Sequence, residues 1–314
     1  MHDVNQIYQM ANRLELLSEQ IKKTPKIVSS SWEYLDLHKL LTPEEEKFRQ
    51  QWRHFLETEV KDSIIPYVEK AQFPDYLMPK LREIGIGKYF FAKPYGHGTS
   101  SLFQGVLMAE AARIDAGVST MMVVQFGLLG STIEMLASEE QKAKYLPKII
   151  NLDMIGGWGL TEDKIGSDAS NLTTSVTKVP EGYKINGTKR WVGNADRDLL
   201  VAWARNTENK QVEAYILETN GLKGWKSVPI PNKMSLRIVQ NCHINMKDVI
   251  VPESQKIAKA TDFQAGTNTI LKHTRSLVPW IAAGICMGVY DSAIRYTSER
   301  RQFGRPVAGI SPPT

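Results

Sequence analysis

The chain has 314 residues, 42% of them hydrophobic and 23% charged, with a formal net charge of +5 and two cysteines. That is an ordinary globular composition, long enough for two or three substructures around a real core, and it excludes intrinsic disorder as the default. No run of about 18 apolar residues is apparent, and Met1 to Lys23 is polar, without an apolar signal core; a soluble chain without membrane insertion is expected. Cys242 and Cys286 are far apart and have no partners at metal-ligand spacing, so no metal site is expected and a reducing compartment fits. Basic residues come singly or in pairs such as Lys22-Lys23 and Arg300-Arg301, not as a clustered face, and nucleic acid is not expected as a partner.

From Leu41 to about Ile150 the pattern is helical. Thr42-Pro43-Glu44-Glu45 supplies a capping hydroxyl, a proline at the first helical position and a carboxylate three residues after the cap. Ser138-Glu139-Glu140-Gln141 repeats that logic. Leu107, Met108, Ala111 and Ala112 line one side of a helix, and Met121 to Leu136 reads as a largely buried one.

Near Gly156 the character changes to short β-branched and aromatic runs: Thr173–Lys178, Tyr183–Ile185, Lys189–Val192, Leu199–Ala204, Ala214–Leu217, Lys226–Ile230 and Cys242–Val249. Asn186-Gly187 between two of them predicts a type I′ hairpin turn. After Pro252 the helical period returns, with Leu271–Ser298 long, apolar and glycine-spaced at Gly284 and Gly288 for close approach of another helix. Helices, then antiparallel strands, then helices is an α+β plan, and no P-loop or complete GxGxxG fingerprint is present.

Three segments carry polar or flat groups suited to a ligand. Trp158 to Asp168 enters the β unit as a loop with a hydroxyl, a carboxylate and the Gly166-Ser167 pair; by itself it also reads as a plain turn. Trp191, in Lys189-Arg190-Trp191-Val192-Gly193-Asn194, is either a core residue or a wall against a planar ligand. Tyr296 to Gly304 is either a helix end whose arginines complement the dipole, stopped by Gly304 and Pro306, or an arginine site for a pyrophosphate. A flavin needs a flat wall, donors for its pyrimidine edge and cations or amides for its pyrophosphate, and these segments together supply all three.

The ordered set WGLTE…GSD, KRWVGN, LKHTR and ERRQFG, with LTPEEE and EEQKAKYLP before it, resembles the acyl-CoA dehydrogenase and acyl-CoA oxidase superfamily from about Leu41 to Gly309. The branches it looks most similar to are the plant peroxisomal short-chain acyl-CoA oxidases and the glutaryl-CoA dehydrogenases. The resemblance implies an N-terminal extension over 1–40, an N-terminal helical domain over 41–154, a middle antiparallel β-barrel-like domain over 155–255 and an incomplete C-terminal helical domain over 256–314. It implies FAD as cofactor, held by Trp158, Leu160, Thr161, Gly166, Ser167, Trp191, Val192, Gly193 and Arg300, the last reaching the pyrophosphate, in such families usually that of a neighbouring subunit. Ser167, Thr274 and Arg275 would meet the acyl-CoA, and Ser119 stands where glutaryl-CoA dehydrogenases have an arginine for the distal carboxylate.

The reaction so implied gives a trans-2-enoyl-CoA by loss of an α proton and transfer of a β hydride to flavin N5. It needs a carboxylate base with a raised pKa opposite the flavin. Family members place that glutamate on helices downstream of RxxFG, or immediately before the channel arginine, where this sequence has Thr274. The chain is therefore expected to be truncated before its base, with no catalytic residue of its own, unless it is a scaffold that binds FAD and acyl-CoA without turnover. Gly193, in place of a Thr or Ser beside flavin N5, is expected to leave that spot open. Family likeness further implies a homo-oligomer and a peroxisomal or mitochondrial location, and loss of the last helices would expose apolar surface along Leu271–Ser298.

Overall fold

The computed structural model describes residues 37–309; the N-terminal residues before Leu37 and the tail from Ile310 to Thr314 lie outside it. Leu41–Val289 forms one compact unit, and the described residues 37–40 and 290–309 belong to a second.

The first half of the large unit is helical, and both sequence-read caps are present. Thr42 Oγ1 accepts the Glu45 N–H at 3.2 Å while the Glu45 carboxylate takes the Thr42 N–H at 2.9 Å, opening the Pro43–Phe55 helix. Ser138 and Gln141 do the same for Glu139–Ile150. Ser101–Ile114 is buried on most of its surface, and its one carboxylate, Glu110, is fully buried among Arg49, Arg53 and Arg113 at 2.7, 3.0 and 3.2 Å. Three cations around one carboxylate offset the desolvation that a lone buried charge could not bear.

Two helical stretches, Ala116–Leu136 and Gln264–Glu299, are long and apolar enough by length and composition to cross a membrane, against the expectation that no such run exists. The first is mostly buried and serves as a core helix, its middle turns Val123–Gly130 being π-helical. The second is mostly exposed: Val278, Ile285 and Val289 of the Leu277–Glu299 helix face outward, as expected for its apolar surface. Its inner side rests on glycines. A Cβ at Gly284 would lie 2.3 Å from the Ala109 carbonyl oxygen and one at Gly288 2.2 Å from that of Arg113, so only hydrogen there permits the contact.

Seven strands follow: β1 (Gly156–Gly159), β2 (Ser175–Val179), β3 (Gly182–Gly193), β4 (Leu199–Asn206), β5 (Val212–Glu218), β6 (Trp225–Pro229) and β7 (Asn241–Val251). They form one sheet ordered β1-β4-β2-β3-β7-β6, with β5 also on β4. The expected antiparallel unit is a mixed one, because β1 and β2 both pair β4 in parallel. β1 takes Leu199–Ala202 and β2 takes Arg205–Asn206, so the two run in line along one strand. The residues between them, 160–174, must leave the sheet and return. That geometry makes the first candidate segment an excursion loop.

Asn186-Gly187 is not a hairpin turn. The β2–β3 turn is Pro180-Glu181, closed by Val179 opposite Gly182, and β3 continues through Asn186-Gly187 with a register shift against β7. The Asn186 side chain is used across the strands instead: its Oδ1 accepts the Asp248 N–H at 2.8 Å and its Nδ2 donates to Asp248 Oδ1 at 3.1 Å. A turn dipeptide inside a strand thus makes a bulge.

In the second unit the helix ends at Glu299, earlier than Gly304 and Pro306 suggested. The chain then makes a short antiparallel pair, Arg301–Gln302 with Arg305–Pro306, through a turn with Phe303 and Gly304 at positive φ.

Candidate functional site

The excursion loop and the end of β3 are brought together by backbone. The Arg190 N–H donates to the Thr161 carbonyl at 2.8 Å. Past that bond β3 has a second register shift against β7, between Lys189 and Val192, and within it Trp191 takes φ 62°. A bulky residue in the left-handed region is strained, and Asn241 Nδ2 holds it there by donating to the Trp191 carbonyl at 3.0 Å. The consequence is an indole 51% exposed, with the Arg190 guanidinium 5.3 Å from its centroid, instead of a ring in the core. Val192 and Gly193 then turn back inward and are buried.

On the loop side Trp158 and Leu160 are buried, and Trp158 Nε1 donates to Thr132 Oγ1 at 3.0 Å. Thr161 is half-buried and its N–H has no backbone acceptor among the described residues. Gly166 and Ser167 are exposed, with nothing within 4 Å of a Cβ built at Gly166. Asn194 is buried directly after Gly193, and among the described residues its side-chain nitrogen and oxygen both lack a partner. A buried amide left so costs about 1–3 kcal/mol unless a ligand or water satisfies it. An exposed flat ring beside an unpaired backbone N–H fits a planar polar heterocycle.

Beneath the loop lies a buried ion pair, Lys189 with Glu162. Lys189 and Glu162 side chains are 0% and 3% exposed and 3.0 Å apart. The Glu162 carboxylate also accepts from Thr173 N and Oγ1 at 2.8 and 2.6 Å and from Thr174 N at 2.8 Å, while Lys189 Nζ donates to the Leu160 carbonyl at 3.0 Å. Burial opposes ionisation of Glu162, but the Lys189 charge and these hydrogen bonds outweigh it and hold its pKa down at about 2. Burial likewise holds Lys189 below the ordinary lysine value, against the pull of Glu162. Both residues stand in charged stretches, Glu162-Asp163-Lys164 and Lys189-Arg190, so local sequence carries no signal for their burial.

Other candidates are placed differently. Thr274 is buried, with its hydroxyl donating to the Ile270 carbonyl at 3.0 Å, while Arg275 is exposed, so the two do not share a face toward one ligand. A helix turns successive residues by about 100°, which separates them. A Cβ at Gly193 would lie 3.1 Å from Val239 Cγ1 and 3.2 Å from Val124 Cγ2, so a Thr or Ser there would meet those methyl groups tightly. Ser119 is fully buried and donates to the Met108 carbonyl at 2.9 Å, a helix-to-helix bond. Arg300 lies in the second unit, exposed, its N–H donating to the Tyr296 carbonyl.

Arg190 also lines a concavity of about 480 Å³ with Lys226 and His243 on its walls. Asp163 sits 2.9 Å from Arg190 and 3.5 Å from His243, so its charge partly offsets that of Arg190. Among the described residues no group of three or more His, Cys, Asp or Glu is placed to hold a metal, and burial pushes the Cys242 thiol up to about 11, away from reactivity.

Residues 42–153 match the acyl-CoA dehydrogenase N-terminal domain and residues 157–249 the acyl-CoA dehydrogenase middle domain. The short-chain specific acyl-CoA dehydrogenase of Clostridium acetobutylicum is 30% identical over 271 residues, covering 84% of this chain and 71% of that protein. The chain belongs to the acyl-CoA dehydrogenase family. Among solved structures, a glutaryl-CoA dehydrogenase from Mycobacterium smegmatis in complex with FADH2 superposes with a TM-score of 0.83 at 26% identity, over 90% of this chain and 72% of that one. Butyryl-CoA dehydrogenase from Megasphaera elsdenii gives 0.79 at 27%, over 86% and 73%. As an acyl-CoA dehydrogenase family member the chain is of an oxidoreductase lineage, and its α+β architecture of helices, middle sheet and further helices is the fold of that family.

Proposed function

We propose that the chain takes part in FAD-dependent oxidation of an acyl-CoA, of short acyl length, to the trans-2-enoyl-CoA. The observation that carries the reading is the Arg190–Thr161 backbone bond, which sets the Trp158–Ser167 loop beside an exposed Trp191. Supporting it, the Clostridium acetobutylicum relative is named short-chain specific, and a solved relative is titled a complex with FADH2.

In this reading the Thr161 N–H and hydroxyl meet the flavin's pyrimidine edge, Trp191 to Gly193 cover one side of the isoalloxazine, and Ser167 lies where flavin and acyl-CoA meet. Bound FAD supplies the two-electron acceptor for the substrate's β hydride. The chain's own residues bind and orient: Trp191 offers its apolar face, Leu160 and Val192 exclude water, and Lys189 with Glu162 fix the loop from below. The Thr274 hydroxyl, committed to the Ile270 carbonyl, takes no proton from the substrate. Ser119, buried and bonded to Met108, offers no cation for a distal carboxylate, which favours a monocarboxylic acyl group over a glutaryl one.

The reading is tested by adding FAD to the purified chain and following flavin absorbance by equilibrium dialysis, then adding butyryl-CoA or hexanoyl-CoA without oxygen. Retained FAD and a perturbed flavin spectrum on adding butyryl-CoA are expected. A chain that retains no FAD, or bound flavin indifferent to both thioesters, would overturn it.

A further inference from the structure

The Lys189 ammonium is fully buried and donates at 3.0 Å to the carbonyl of Leu160, the oxygen of the peptide whose N–H belongs to Thr161. The opposite charge, Glu162, is tied on its far side by Thr173 and Thr174, so the ammonium cannot swing away without leaving that carboxylate buried and unpaired. A cation on a peptide carbonyl withdraws electron density through the amide and makes its N–H a stronger donor, more so where water is excluded. Among the described residues that Thr161 N–H has no backbone acceptor, whereas the Thr161 carbonyl is already taken by the Arg190 N–H. The loop therefore presents a strengthened donor while its acceptor side is occupied.

We propose that Lys189 is a positioning residue that polarises the Leu160–Thr161 peptide toward the pyrimidine edge of the flavin, so that the site favours the reduced cofactor over the oxidised one. This rests on the placement of FAD given above. A reduced isoalloxazine carries more negative charge on that edge than an oxidised one. A sharpened donor discriminates between the two, and uniform binding would not. Glu162 has the complementary part: it keeps the ammonium charged in a site whose burial favours the neutral amine.

The test uses the whole chain loaded with FAD, as wild type, Lys189→Met and the charge-free Lys189→Met/Glu162→Gln pair, which leaves no buried unpaired carboxylate. Redox titration against a reference dye reads the ratio of affinities for reduced and oxidised FAD. That ratio is expected to fall about tenfold in both variants, a two-electron potential about 30 mV lower, with far-UV circular dichroism unchanged. In the flavin-free chain, the Thr161 amide proton resonance is expected to move upfield in the double variant. FAD held with an unchanged ratio in both variants overturns the inference and leaves the site reading standing. No FAD held by the wild-type chain overturns the site reading and this inference with it.

Discussion

The Arg190 N–H meets the Thr161 carbonyl at 2.8 Å, and through that bond two stretches nearly thirty residues apart in sequence become one surface. The residues on either side carry the consequences: Trp191 swings outward at positive φ, and Lys189 turns inward onto Glu162 and Leu160. One face of the strand end offers an aromatic ring, and the opposite face anchors the loop.

Replacing Trp191 with Ala is expected to weaken FAD binding by about threefold to tenfold, the worth of one aromatic stacking contact. Because the indole is half exposed and the strand's register is held by Val192 and Cys242, thermal stability should change little. Paired FAD titration and thermal denaturation check this, and a large loss of stability would place the ring in the core instead.

Gly193→Thr is expected to destabilise the chain by about 1–3 kcal/mol, since the new atoms meet Val124 and Val239 at 3.1–3.2 Å before any rotamer is chosen. Adding Val124→Ala should recover part of the loss. Urea denaturation of the single and double variants decides it; a neutral single variant would show that Val124 and Val239 yield to the new side chain.

Glu162 predicts an acid limb of stability. Its pKa in the fold, about 2, lies below the ordinary 4.5, so the folded chain holds the carboxylate ionised more strongly than the unfolded one. Its contribution is complete above about pH 4.5 and is lost as pH falls toward about 2. Other carboxylates, among them Glu57 and Glu213, are lowered too and share this limb. Urea midpoints across that range should therefore fall for both wild type and the Glu162→Gln/Lys189→Met pair, but less steeply for the pair.

Glu110→Ala would leave Arg49, Arg53 and Arg113 facing each other around a vacated buried carboxylate. A loss of about 3–5 kcal/mol is expected, the usual result of breaking a buried ionic cluster from one side. Glu110→Gln, which keeps an acceptor, should cost less. Equal losses in the two variants would assign the effect to packing and not to charge.

Much of the architecture is legible in the sequence. The Thr42 and Ser138 capping boxes, the buried helix around Met121 to Leu136, and the glycines at 284 and 288 rest on interactions within a few residues or on side-chain size, which local sequence encodes. Asn186-Gly187 misled because a turn dipeptide states only a permitted backbone conformation. Whether it turns or bulges depends on Asp248, 62 residues away, taking both ends of the Asn186 amide.

For the site, sequence by itself determined which segments matter: WGLTE…GSD and KRWVGN mark the loop and strand end that the fold joins, and the family they suggest is the one the chain belongs to. Only tertiary structure decided what each residue does there. β1 and β2 had to line up on β4 before the segment between them became a loop, and a register shift in β3 had to turn Trp191 out and Lys189 in. Thr274 and Arg275 parted because a helix points neighbours in different directions, and the tight neighbours of Gly193, Val124 and Val239, arrive from distant segments. Motif identity is carried by residue type and order, whereas burial, pairing and direction are set by which distant strand or helix arrives beside them.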